Sequence, residues 1–142
     1  MAATKYGKLI LNHPIVNLPH PRDPGKIWQS INIEGERDFQ SDFSLVLLPV
    51  TEPVLMEEGP PHFHDFDMYL TLIGFDYPHG LEDLGAEVVI HFGEEQEKHV
   101  ITTPSSIYIP KGLAHCPFEF TRVGKPLLLI HATLAAKYAK RE

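Results

Sequence analysis

The chain has 142 residues, one domain's worth and enough to bury a core. Its 12 basic and 19 acidic residues leave a formal net charge of −7, which argues against a nucleic-acid partner, since phosphate binding needs a basic surface. The single cysteine, Cys116, excludes an internal disulfide framework. Apolar stretches such as residues 127–130 are too short to cross a membrane, and residues 1–8 lack the apolar run of a signal peptide. The expectation is a cytoplasmic protein with no membrane partner. Thirteen prolines argue against long helices. Nine histidines call for an explanation, and metal ligation is one.

Taken in chain order, residues 1–26 read as an extended arm with a short edge strand near 8–11, because they hold too few apolar residues for a core. Residues 27–142 form the domain proper. Ile27, Trp28, Ile31 and Ile33 suggest a first strand, and the apolar run 43–50 a second. Residues 61–75 read as a third, rich in aromatic and β-branched side chains and ending at Gly74. Residues 87–92 and 97–103 read as a hairpin turning at Gly93, Glu94 and Glu95. Short strands at 106–109, 116–121 and 127–134 complete the set, and only 135–141 has helical composition. Short strands with regular turn signals predict an all-β sandwich or barrel.

The sharpest local feature is His62-Phe63-His64. Residues two apart in a strand share a face, so both imidazoles can converge on one point inside a barrel. The second is Pro110-Lys111-Gly112-Leu113-Ala114-His115. Pro110 ends a strand without needing a ladder bond, Gly112 permits the positive φ of a tight turn, and His115 opens the next strand. The other histidines, His91, His99 and His131, read as structural or exposed. Cys116 reads as a buried thiol.

Together the two motifs resemble the cupin superfamily. Gly59, His62, His64, Asp67 and Gly74 follow the order of the first cupin motif, and Pro110, Gly112 and His115 that of the second. The resemblance covers about residues 27–134 and implies a single jelly-roll β-barrel behind the N-terminal arm. It also implies a metal at the barrel mouth, held by His62, His64 and His115 and usually by a carboxylate. Departures are present. Gly59 lies nearer the dyad than usual, Pro104 stands about where a glycine often precedes the second motif, and Glu119 stands where an asparagine often follows it. Met68 and Tyr69 occupy the places usual for the acidic ligand, and Asp67 comes one residue early. Three readings stay open: Asp67 binds through a bulge, the site is three histidines and water, or Glu87 or Glu97 reaches in from a neighbouring strand.

The functional expectation is a small metal-dependent enzyme acting on an anionic or carbonyl-containing organic molecule through one divalent ion: Fe, Mn, Zn or Ni. With Fe(II) the chemistry would be oxidative; with Zn(II), Mn(II) or Ni(II) it would be isomerase, lyase or hydrolytic chemistry. Asp67, Tyr69 or Glu119 would supply an acid or base. The alternative is a non-catalytic module that binds a metal or a small molecule. A homodimer is expected, because an extended arm can add a strand to a neighbour's sheet edge.

Overall fold

The computed structural model describes residues 5–23, 25–76 and 78–139. Among these residues ten strands build two antiparallel sheets: β1 (Ile15–Pro19), β2 (Ile27–Ile33), β3 (Ser44–Val50), β4 (Val54–Glu57), β5 (Met68–Gly74), β6 (Ala86–Phe92), β7 (Glu97–Ile101), β8 (Ser105–Ile109), β9 (His115–Val123) and β10 (Leu127–Thr133). Six stand in the order β1-β2-β3-β10-β5-β8, and four in the order β4-β9-β6-β7. Successive strands such as β3 and β4, or β8 and β9, lie in different sheets, so the chain wraps around a barrel rather than meandering along one sheet. Among the described residues no helix is long and apolar enough to cross a membrane.

The core lies between the sheets and follows from strand alternation. Leu48 and Val50 on β3, Leu70 and Leu72 on β5, and Leu127 and Leu129 on β10 point inward from one wall. Val88 and Ile90 on β6 and Phe118 and Phe120 on β9 meet them from the other. Phe120, Leu72 and Ile90 are almost fully buried, and each such side chain is worth about 1.5–3 kcal/mol relative to exposure.

Four local readings differ from the structure. The edge strand lies at Ile15–Pro19 rather than at 8–11, where a single turn of 3-10 helix (Gly7–Leu9) stands instead. The strand expected over 61–75 begins only at Met68. Pro60 and Pro61 have no N–H for a ladder, and His62 makes an isolated bridge to His115 as the chain crosses between sheets. Strand β4 and a one-turn helix α1 (Gly35–Asp38) stand where the sequence pattern gives no element.

The fourth difference is the C-terminal segment, where no helix forms over residues 134–139. Its backbone carbonyls are taken by distant groups. Ala135 O accepts from Ser44 Oγ at 2.9 Å, Ala136 O from Glu36 N–H at 2.9 Å, and Ala139 O from His64 Nδ1 at 2.5 Å. A helix of that length is marginal alone, so tertiary partners prevail.

Candidate metal centre

The turn before β9 is built as its residues require. Leu113 N–H closes onto Pro110 O at 3.1 Å, and Gly112 takes φ +85°, open to glycine without steric cost. Two bonds tie this turn to the first motif: Gly112 N–H to His64 O at 2.9 Å, and Lys111 N–H to Asp67 Oδ1 at 2.8 Å. His115 then pairs with His62 through reciprocal backbone bonds of 2.9 and 3.1 Å. The two motifs are thus stitched together by main chain, which brings their side chains to one place.

There the three imidazoles meet. The ring centroids of His62 and His115 are 4.5 Å apart, and His64 lies 5.0 Å from each. All three residues are at most 3% exposed. His115 Nδ1 donates to Leu113 O at 3.0 Å and His64 Nδ1 to Ala139 O. A carbonyl only accepts, so Nδ1 carries the proton in both rings and Nε2 is the nitrogen with the lone pair. This carbonyl-anchored tautomer is what metal-binding histidines commonly show.

Cys116 stands with two of the three imidazoles, His62 and His115, rather than with His64. Among the described residues, the donor atoms of His62, His115 and Cys116 lie within 4.8 Å of one another, with Cys116 Sγ 4.0 Å from His62 Nε2. Neighbouring residues in a regular strand point to opposite faces, yet His115 and Cys116 are both buried. A bulge explains it: His91 of β6 faces both Cys116 and Pro117, between the pairs Ile90–Phe118 and Phe92–His115. Cys116 holds φ +100° there, a rare backbone state for a non-glycine residue. The donor set, imidazole nitrogens with an adjacent thiol, suits a borderline divalent ion such as zinc or iron.

A second bulge brings in a carboxylate. On β4, Val54 pairs with Phe120 and Glu57 with Phe118, so the register shifts between Leu55 and Glu57. Val54 and Glu57 are three apart and both face inward. Glu57 lines a cavity of about 210 Å³ with His62, His115, Cys116, His131 and Tyr138. Burial, then the Glu57 carboxylate and Cys116, push the Tyr138 phenol above its ordinary pKa range. The Tyr138 ring lies 4.9 Å from that of His64, which also stacks on Phe66 at 4.9 Å.

The remaining candidates lie elsewhere. Asp67 holds the Lys111 amide and bonds Tyr108, which is half exposed on the outer face. Glu87 Oε1 accepts from Thr121 Oγ1 at 2.9 Å, and Glu97 Oε1 meets His99 Nε2 at 2.6 Å on the exposed β6–β7 hairpin. Tyr69 and Glu119 are exposed. The structure therefore brings His62, His64 and His115 together and leaves Asp67, Glu87 and Glu97 outside that group. Met68 does point inward, with Sδ 2.7 Å from His131 Nε2. Burial, helped by His64 and His115, pushes the His131 pKa down to about 4, so its ring is neutral near pH 7. Glu57 and Tyr138 escaped the sequence reading. Strand parity counted from Val54 points Met56 inward and Glu57 outward, and the bulge brings Glu57 in beside Met56.

No family model and no curated protein matches the sequence. Solved structures do resemble the fold. An oxalate oxidase superposes with TM-score 0.53 at 11% identity, over 79% of this chain and 53% of its own. The polyketide cyclase RemF from Streptomyces resistomycificus gives TM-score 0.56 at 15% identity, over 94% and 82%. Oxalate decarboxylase from Bacillus subtilis, a protein with Mn(II) centres, gives 0.55 at 10%, over 88% and 28%. The chain thus spans about half the length of the oxalate oxidase. At these identities the likeness concerns the fold.

Proposed function

Starting from a chain that has the cupin fold, we propose that it is a metal-dependent enzyme for a small organic molecule, with one divalent ion (Fe, Mn, Zn or Ni) held by His62, His64 and His115. The observation that carries this reading is the pair of carbonyl-anchored imidazoles, His115 on Leu113 O and His64 on Ala139 O, packed against His62. Burying three imidazoles face to edge has no return in apolar packing that leucine would not exceed, whereas a shared cation uses all three. A divalent ion bound there supplies Lewis-acid polarisation of a substrate oxygen.

The chain's own residues do the rest. The His62–His115 backbone bridge fixes two rings before any ligand arrives, which removes reorganisation from binding. Cys116 and Glu57 line the same end of the cavity and replace Asp67 as the candidate anionic groups there. Tyr138 keeps its proton, since its pKa is raised, and its hydroxyl oxygen lies 3.5 Å from His64 Nε2. It is the group best set to donate to a substrate oxygen. Apolar side chains line the rest of the cavity.

Elemental analysis of anaerobically purified protein tests the reading. About one divalent ion per chain is expected, and His115→Ala should lower metal content strongly while circular dichroism stays that of the folded barrel. Folded protein that takes up none of Fe, Mn, Zn or Ni overturns it. A non-catalytic binding module is the second reading, favoured by the cover that Tyr138 and Phe66 place on His64. Rapid appearance of an azide band on the Fe(II)- or Co(II)-loaded protein would decide for the enzyme. We also propose a homodimer through β1, which lies at the edge of the six-stranded sheet with Ile15 half exposed. Light scattering tests it, and a chain that stays monomeric at high concentration rules it out.

A further inference from the structure

The cavity behind the histidines has an uneven lining. Val46, Leu48, Leu70, Ile90, Phe118 and Leu129 form its body. Its polar groups form one connected cluster. His62, His115 and Cys116 lie within 4.8 Å of one another, Glu57 and Cys116 both act on the Tyr138 phenol, and the Tyr138 and His131 rings are 5.4 Å apart. Among the described residues no lysine or arginine lines it.

That lining limits what fits. A ligand can present one polar group to the cluster and must lay everything else against hydrocarbon. A second charged group would be buried without a partner, which costs several kcal/mol or more. A dicarboxylate is therefore a poor match. Glu57 and Cys116 already bring anionic donor chemistry to the polar end, enough to offset a divalent ion's charge, so a neutral oxygen head is better suited there than a carboxylate. A cavity of about 150 Å³ accommodates benzene. A volume of about 210 Å³ accordingly takes roughly eight or nine non-hydrogen atoms by the same scale.

We propose that the site takes a compact, mostly apolar molecule with a single carbonyl or enol oxygen, seated with that oxygen toward His62, His115 and Tyr138 and its body among Leu48, Ile90 and Leu129. The choice of head group rests on the metal reading above; the apolar body rests on the cavity alone.

Acetophenone has the right size and one neutral oxygen, and it serves as the probe. Calorimetric titration of the full-length chain, Zn(II)-loaded and metal-free, compares it with oxalate, succinate and the larger acetonaphthone. Acetophenone should bind the Zn(II) form at least about tenfold tighter than either dicarboxylate. Met56→Trp and Val46→Phe narrow the cavity from half-buried positions on different strands. Each should weaken acetophenone by about tenfold or more with zinc content unchanged. Tighter binding of oxalate or succinate overturns the proposal. So does acetophenone binding that survives both substitutions, or acetonaphthone binding equally well. A chain that takes no zinc yet binds acetophenone, with loss in both variants, keeps the cavity inference and removes the metal reading. A chain that holds zinc and rejects acetophenone does the reverse.

Discussion

His115 and His64 are neighbours in space but are held in place by different parts of the chain. The carbonyl that anchors His115 belongs to Leu113, two residues away within the Pro110–His115 turn. The carbonyl that anchors His64 belongs to Ala139, 75 residues away in the C-terminal segment. One ligand is oriented by local geometry that forms with the turn. The other waits for the last residues to fold over the barrel mouth, where Tyr138 covers its ring. A site built this way has a permanent half and a conditional half.

Removing residues 137–142 breaks the conditional half alone, since the bonds of Leu134 N–H to Asp67 O, Ser44 Oγ to Ala135 O and Glu36 N–H to Ala136 O remain. Loss of the Ala139 carbonyl and the Tyr138 ring frees His64 while leaving the His62–His115 bridge intact. Divalent-metal affinity should fall by roughly 10–100-fold, the usual cost of deleting an outer-shell partner, in protein whose circular dichroism is unchanged. An affinity equal to that of the full chain would mean that His64 needs no anchor, and the contrast with His115 would vanish.

Acid sharpens the same contrast, because His131 packs against Tyr138 of the covering segment. Its pKa is about 4 in the folded chain and about 6.5 unfolded. Between these values the unfolded chain binds the proton and the folded one does not. The stability from neutral His131 is therefore complete above about pH 6.5 and is lost as pH falls toward 4. The loss should reach about 2 kcal/mol at pH 5. Urea unfolding at pH 7 and pH 5, with His131→Leu alongside, checks it. The variant should lose less stability on acidification by about that amount, and parallel losses would show that His131 titrates normally.

The smallest effect is expected in the permanent half. Asp67→Asn keeps an oxygen for the Lys111 amide, so the turn should hold, with a stability change of about 1 kcal/mol or less. Metal content should hardly move. A sharp loss of metal in folded Asp67→Asn protein would return Asp67 to the ligand set and undo the assignment of its carboxylate to the turn.

The two halves also differ in how much of each is legible in the sequence. The Pro110–His115 turn is legible because proline, glycine and histidine each act through their own backbone rules at fixed offsets. The His62/His64 dyad is legible through parity. The all-β barrel follows from short apolar runs punctuated by proline and glycine. Glu57 and the shared inward aim of His115 and Cys116 are not legible, because each depends on a bulge that no local residue announces. The C-terminal segment misleads for another reason. Alanine, lysine and tyrosine at 135–138 favour a helix in isolation, and the distant donors Ser44, Glu36 and His64 make an irregular path better.

The bulge in β9 has a consequence for how this protein tolerates change. His115 and Phe118 both face inward only because Cys116 and Pro117 share one partner residue on β6. The chemistry at one end of the strand and the packing of Phe118 and Phe120 at the other are therefore set by a single offset, like two cams keyed to one shaft. A point substitution can remove either function and spare the other. A one-residue insertion or deletion between positions 115 and 118 cannot, because it rotates the histidine out of the site or the two phenylalanines out of the core. Along this stretch a substitution is a local change, whereas a change of spacing is felt at both ends.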